Sequence, residues 1–120
     1  FLETAVGDTD LLTEIRVPKV PGAGFSFQKF NRRAQDWAIV GTSVLVDGDR
    51  VGVGLVNMDS RPVRASATEA AVAGGASAVD AAAAAADGVD APADLNASTE
   101  YREHLARVLV RRGLEEAGRP

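Results

Sequence analysis

The chain has 120 residues, 46% apolar and 25% charged, with a net charge of −4 at pH 7 and no cysteine. It is long enough for one domain with a real core and too short for two comfortable ones. The modest negative charge argues against a nucleic-acid partner, which needs a basic excess, and the missing cysteines exclude disulfides, iron–sulfur clusters and thiolate metal sites within the chain.

The first residue is Phe1, and Glu3, Asp8 and Asp10 interrupt any apolar leader. The chain therefore reads as cut from a longer polypeptide or processed, and as expected to work in the cytoplasm. No apolar run approaches the ~20 residues that cross a bilayer, so no membrane span is expected. Residues Leu11 to Val17 alternate like a half-buried strand, which Pro18 ends. Pro21 and two glycines make the next few residues a loop. Phe25 and Phe27 alternate with Ser26 and Gln28, so a second strand carries both rings on one face. The apolar run from Trp37 to Val46 suits a strand buried on both sides. Asp47-Gly48 signals a type I′ hairpin turn, because glycine accepts positive φ without steric cost. The returning strand places Val51, Val53 and Leu55 on one face and Gly52 and Gly54 on the other. A glycine face implies close approach, either by a tightly packed helix or strand or by a ligand. Arg61 to Val63 reads as an edge strand after a turn at Asp59-Ser60.

From about residue 65 alanine, glutamate and arginine take over, and three helices are predicted. Ser66 is expected to cap the first, with Glu69 in its opening turn, where a carboxylate meets the positive end of the helix dipole. Gly74-Gly75 stops it. Ser77 is expected to cap the second, which runs through the alanines to Asp87-Gly88. Alanine buries little area, so this helix must lie close against something flat. After a loop over residues 91–97, Ser98 caps a long last helix. There Tyr101, Leu105, Val108, Leu109 and Leu114 recur at helical spacing, with Arg102, Arg107, Arg111 and Arg112 mostly off that stripe. An antiparallel sheet of four or five strands followed by three helices is an α+β chain. It buries one face of each layer as a two-layer sandwich.

No catalytic site assembles from these residues. His104 stands alone on a helix and reads as a surface or interface side chain, and one histidine without cysteine does not make a metal site. Neither GxGxxG opening a helix nor GxxxxGK[ST] occurs, and the acids are scattered rather than paired. One segment stands out. Residues 25–40 hold three basic residues, one acid and four aromatics in sixteen positions. Lys29 lies two residues beyond Phe27, so in a strand it shares the face of the rings. A cation there needs an acid, a carbonyl or an anionic ligand. Arg33 and Asp36 are three apart and can pair to shape a turn. Equally, the residues alone read as a solvated loop with one snorkelling lysine.

This segment resembles the aromatic-x-Lys-x-x-x-Arg-x-x-Asp-aromatic-Ala-hydrophobic stretch that opens the C-terminal domain of molybdenum hydroxylase flavin subunits, the group that includes carbon monoxide and xanthine dehydrogenases. Here it runs through Phe27, Lys29, Arg33, Asp36, Trp37, Ala38 and Ile39. The likeness continues through the Asp10 to Pro18 leader, the Gly52 to Pro62 stretch, Glu69, the Tyr101-Arg102 pair and Arg111-Arg112-Gly113-Leu114, in the family's order over about a hundred residues. Phe27 departs from it, since many relatives carry tyrosine there.

The resemblance implies a single domain over residues 1–120, part of a longer FAD-binding subunit. FAD would be held mainly by an N-terminal domain whose glycine-rich loops do not occur here. Carried over by position, the cofactor-binding residues are Lys29, at the carbonyl edge of the flavin ring, Trp37 and Ala38, near the ring, and Asp36, shaping the turn with Arg33. The implied partners are the FAD-binding domain of the same subunit, an iron–sulfur subunit and a molybdenum-cofactor subunit. Electrons would pass from the clusters through FAD to an external acceptor, with this domain a non-catalytic part of an oxidoreductase. Rival readings are a cofactor-free interaction or assembly domain that uses the arginine-rich last helix, and an unrelated α+β enzyme domain completed by another chain.

Overall fold

The computed structural model describes residues 4–118. Among these, four strands form one antiparallel sheet in the order β1-β2-β3-β4: β1 Gly24–Phe30, β2 Val40–Asp47, β3 Arg50–Val56 and β4 Val63–Arg64. Three helices follow, α1 Ser66–Ala73, α2 Ala78–Ala83 and α3 Thr99–Glu116. The expected α+β architecture is present.

Strand periodicity divides the sheet into two unlike faces. The inner face carries Ser26, Thr42, Val44, Val53 and Leu55, all buried. α3 lies across β1 and β2, α1 lies against β3, and α2 packs on α1 and α3. Leu105, Ala106, Leu109, Val110 and Leu114 of α3 complete the core, and Phe30 meets Tyr101 edge to face at 6.5 Å. Close approach is enforced at two glycines. A Cβ on Gly24 would stand 2.0 Å from the Ala117 carbonyl oxygen, and one on Gly113 would stand 2.7 Å from Val44 Cγ2. The alanines of α2 do lie flat against neighbours, with Ala78, Ala81 and Ala82 buried, and Ala85 in the turns that follow is buried too.

Several expectations need correction. Leu11–Val17 forms no strand: among the described residues it has no backbone hydrogen-bond partner, and Leu11, Ile15 and Val17 are 78–83% exposed. β2 begins only at Val40, because residues 31–38 form an open loop between β1 and β2. The hairpin turns at Gly48-Asp49, since Asp47 pairs with Arg50. Only Gly48 there has positive φ, which is the type II′ pattern rather than I′. Ser66 is the first residue of α1, whose cap is Ala65 without a side-chain bond. Ser77 and Ser98 do cap, accepting from the amides of Asp80 and Tyr101. α2 ends at Ala83, and tight turns carry the chain to Gly88 at φ 76°. Arg102 does not lie off the buried stripe of α3. It is wholly buried in it.

Candidate functional site

The outer face of the sheet is uncovered. Phe25 and Phe27 of β1 stand 75% and 64% exposed, next to the half-exposed Leu45 of β2 and Val56 of β3. Cross-strand register places Ser43 opposite both Phe27 and Gly54, and Leu45 opposite both Phe25 and Gly52. A shallow groove of about 420 Å³ runs over these residues. Nothing lies within 4 Å of a Cβ built on Gly52, so among the described residues no helix or strand accounts for that glycine. Gly54 is explained locally, because a Cβ there would meet Ser43 Oγ at 2.7 Å.

Lys29 sits on this same face, exposed, at the end of the line Phe25, Phe27, Lys29. Its cross-strand partner is Gly41, where an added Cβ would touch Val56 and Ala38. Lys29 and Ala38 therefore flank the same glycine. No acid pairs with the Lys29 ammonium among the described residues, whereas Arg64, on the same face, is engaged: Glu69 holds it through two bonds of 2.8 and 3.0 Å. Glu69 also accepts from the Val53 amide at 2.8 Å, so this helix acid both ties α1 to β3 and neutralises Arg64.

Asp36 and Trp37 lie instead on the β1–β2 loop, beside a second, polar pocket of about 380 Å³ that Ala38 also lines. Trp37 is 86% exposed. Arg33 and Asp36 approach to 4.0 Å and the Asp36 amide donates to the Arg33 carbonyl at 3.1 Å, as the turn reading expects. Arg32 reaches across to Asn96 Oδ1 at 3.2 Å.

Three residues that sequence reasoning did not place in a site fix this loop. Asn57, at φ 61°, donates from Nδ2 to the carbonyls of Ala38 at 2.9 Å and Ile39 at 3.3 Å. Left-handed backbone suits asparagine better than most side chains. Buried Arg102 donates from Nη1 to the Ile39 carbonyl, and its Nη2 pairs with Asp94 Oδ2 at 2.8 Å. The Asp94 carboxyl is lowered to about 2, first by the Asn96 amide, then by the Ala97 amide and Arg102, against partial burial that works the other way. The signal for Asn57 was faint, one polar residue after a strand. For Arg102 it was the helical spacing to Leu105 and Leu109, masked by the habit of placing arginine outside.

Residues 25–117 match the family described as CO dehydrogenase flavoprotein C-terminal domain. The chain is 34% identical to the carbon monoxide dehydrogenase medium chain of Afipia carboxidovorans and 32% identical to that of Hydrogenophaga pseudoflava. Each match covers 95% of this chain and 43% of the relative. It is also 31% identical to the 6-hydroxypseudooxynicotine dehydrogenase complex subunit alpha of Paenarthrobacter nicotinovorans, over 90% of this chain and 40% of the relative. The chain thus spans less than half the length of these curated relatives. Among solved structures, the carbon monoxide dehydrogenase of Hydrogenophaga pseudoflava superposes with a TM-score of 0.69 at 31% identity, covering 81% of this chain and 37% of the other. Reconstituted CO dehydrogenase from Oligotropha carboxidovorans gives 0.69 at 29%, covering 86% and 39%.

Proposed function

This chain belongs to the CO dehydrogenase flavoprotein C-terminal domain family, and we propose that it forms one wall of the flavin ring site in a longer FAD-binding subunit. The observation that carries the reading is the bare outer face of the sheet. It presents apolar side chains, an open glycine at Gly52 and, at its end, a lysine with no acid partner among the described residues. Large exposed apolar patches on a soluble domain mark surfaces that something else covers.

These residues fit part of FAD and not all of it. A planar ring with a carbonyl edge suits the apolar face and the Lys29 donor, with Ala38 beside it at Gly41 and Trp37 on the adjoining loop. The pyrophosphate finds no glycine-rich loop opening a helix here, so those contacts belong to the part of the subunit that precedes this domain. When bound, FAD supplies the electron-carrying chemistry, between iron–sulfur clusters fed by a molybdenum centre and an external acceptor. Lys29 donates to the ring edge and favours negative charge there, because fixed positive charge in a partly dry site acts strongly. Asp36 pairs with Arg33 and shapes the loop that presents Trp37 and Ala38. The chain itself carries out no bond-making step.

The rival role of α3 as an arginine-rich docking helix finds less support. Arg102 is buried, Arg107 pairs with Glu103 at 3.2 Å and Arg111 lies 3.8 Å from Glu115. Among the described residues that leaves only Arg112 of the helix without an acid partner. The test is Lys29→Met in the full flavin subunit. Losing the cation weakens FAD binding and lowers the flavin midpoint potential, by about 30 mV for each 1.4 kcal/mol withdrawn from a two-electron couple. Unchanged affinity and potential would remove Lys29 from the site.

A further inference from the structure

Among the described residues Asn57 is the only one other than glycine with positive φ, and it directly follows β3. The left-handed region disfavours most side chains, and asparagine is among the few that enter it readily. Its side chain does not serve its own turn. Nδ2 donates instead to the carbonyls of Ala38 and Ile39, 19 and 18 residues earlier in the chain. The peptide that joins Ala38 to Ile39 is held at its other end too, because the Ile39 amide donates to the Phe30 carbonyl at 2.7 Å. A peptide unit is planar, so one bond at its oxygen and another at its nitrogen leave it little freedom to turn. Phe30 follows Lys29 directly, and Ala38 opens the clamped peptide. The clamp therefore fixes Ala38 relative to Lys29.

Arg102 braces the clamp from behind. It is wholly buried, donates to the Ile39 carbonyl and lies 3.5 Å from the Asn57 carbonyl, while Asp94 pairs with its other terminal nitrogen. Asn57 thus receives support at its backbone and passes it on through its side chain. On the open side the pattern reverses. The amides of Trp37 and Ala38 have no hydrogen-bond partner among the described residues. Two unspent donors therefore sit at a fixed place beside an unpaired lysine, and fixed donors act most strongly where charge develops on a ligand.

We infer that Asn57 is a positioning residue for the flavin ring. By holding the Ala38 carbonyl, it sets the Trp37–Ala38 stretch against the ring edge at a fixed place relative to Lys29, and touches no cofactor atom itself. The inference rests on the flavin reading and deepens it. Reduction brings negative charge to the ring edge, so donors there bind the reduced form more strongly than the oxidised one. Loosening Ala38 therefore withdraws more from reduced flavin than from oxidised flavin. A residue that only supported the fold would weaken both forms alike and leave the potential where it was.

The test is Asn57→Gly in the full flavin subunit, with Lys29→Met measured alongside. Glycine accepts the left-handed backbone, so the change removes only the side-chain donor. The dissociation constant for FAD should rise about tenfold, as the loss of roughly one hydrogen bond does. The flavin midpoint potential should fall by about 30 mV for each tenfold lost selectively from the reduced form. An unchanged potential in Asn57→Gly, while Lys29→Met lowers it, overturns the inference and leaves the flavin reading standing. Unchanged potentials in both variants overturn the two together. Should Asn57→Gly fail to fold, Asn57→Asp decides by the same measurement. It keeps the side-chain shape and the tolerance of left-handed backbone, and sets an acceptor where the two carbonyls need a donor.

Discussion

Replacing Arg102 by methionine removes a cation that has no solvent contact while keeping most of the volume of its stem. The loss is concentrated on the Ile39 carbonyl, which keeps only the longer bond from Asn57 Nδ2 at 3.3 Å. Hydrogen bonds made by charged groups are each worth about 1.5–3 kcal/mol. Asp94, left behind, is half open to water and hydrates, so the substitution avoids the heavier penalty of stranding a buried charge. A net destabilisation of about 2–3 kcal/mol follows. For a body of this size it corresponds to a fall in Tm of roughly 8–24 °C, at about 4–8 °C per kcal/mol. The unfolding transition of the chain, followed by circular dichroism, measures it. Trp37 is the only tryptophan, so the anisotropy of its fluorescence reports separately on the loop that Arg102 anchors, and should drop. The converse change, Asp94→Asn, keeps an acceptor for the Asn96 and Ala97 amides but leaves the Arg102 charge buried without an anion. It should destabilise more than Arg102→Met, and adding Arg102→Met to it should recover stability. If Arg102→Met costs less than about 0.5 kcal/mol, the surface-substitution range, or if the double variant is the least stable, Arg102 is not the anchor of this loop.

The same pair predicts an acid sensitivity. Because the folded Asp94 value of about 2 lies below the usual 3.8, its stabilisation is full above 3.8 and is lost as pH falls through 2. The gap in Tm between the unaltered chain and Asp94→Asn should therefore narrow from pH 5 to pH 2, and a constant gap would contradict the coupling. The glycines sort by face. Gly24→Ala should be severe, since backbone at Ala117 must move, and Gly113→Ala should cost about 1–3 kcal/mol, as overpacking does. Gly52→Ala should leave the stability of this chain unchanged within about 0.5 kcal/mol, because nothing within 4 Å opposes it, yet should weaken FAD binding by the full subunit if the outer face is covered there. Thermal melts and flavin titration separate these effects.

What could be read from residues alone was periodicity. The alternation of Phe25 and Phe27 fixed which face of β1 carries Lys29, and the alternation from Val51 to Leu55 separated core from glycine face, because strand geometry makes side-chain direction a matter of counting. The serine caps at Ser77 and Ser98 were legible for the same local reason. The errors arose where the deciding partner was distant. Apolar character over Trp37 to Ile39 suggested a buried strand, but Asn57 and Arg102 hold that stretch as a loop by its carbonyls, from residues 18 to 63 positions away. The candidate site divides along this line. The place of Lys29 on the open face follows from local register and was legible, whereas Asn57, which holds the Ala38 carbonyl through a long-range bond, was not. On the proposed reading, the position of Lys29 on an uncovered face means that the described residues alone do not complete a flavin pocket. A lysine beside exposed phenylalanines has neither an acid nor a dry environment until a second unit covers the face, so any influence it exerts on a cofactor is a property of the joined units.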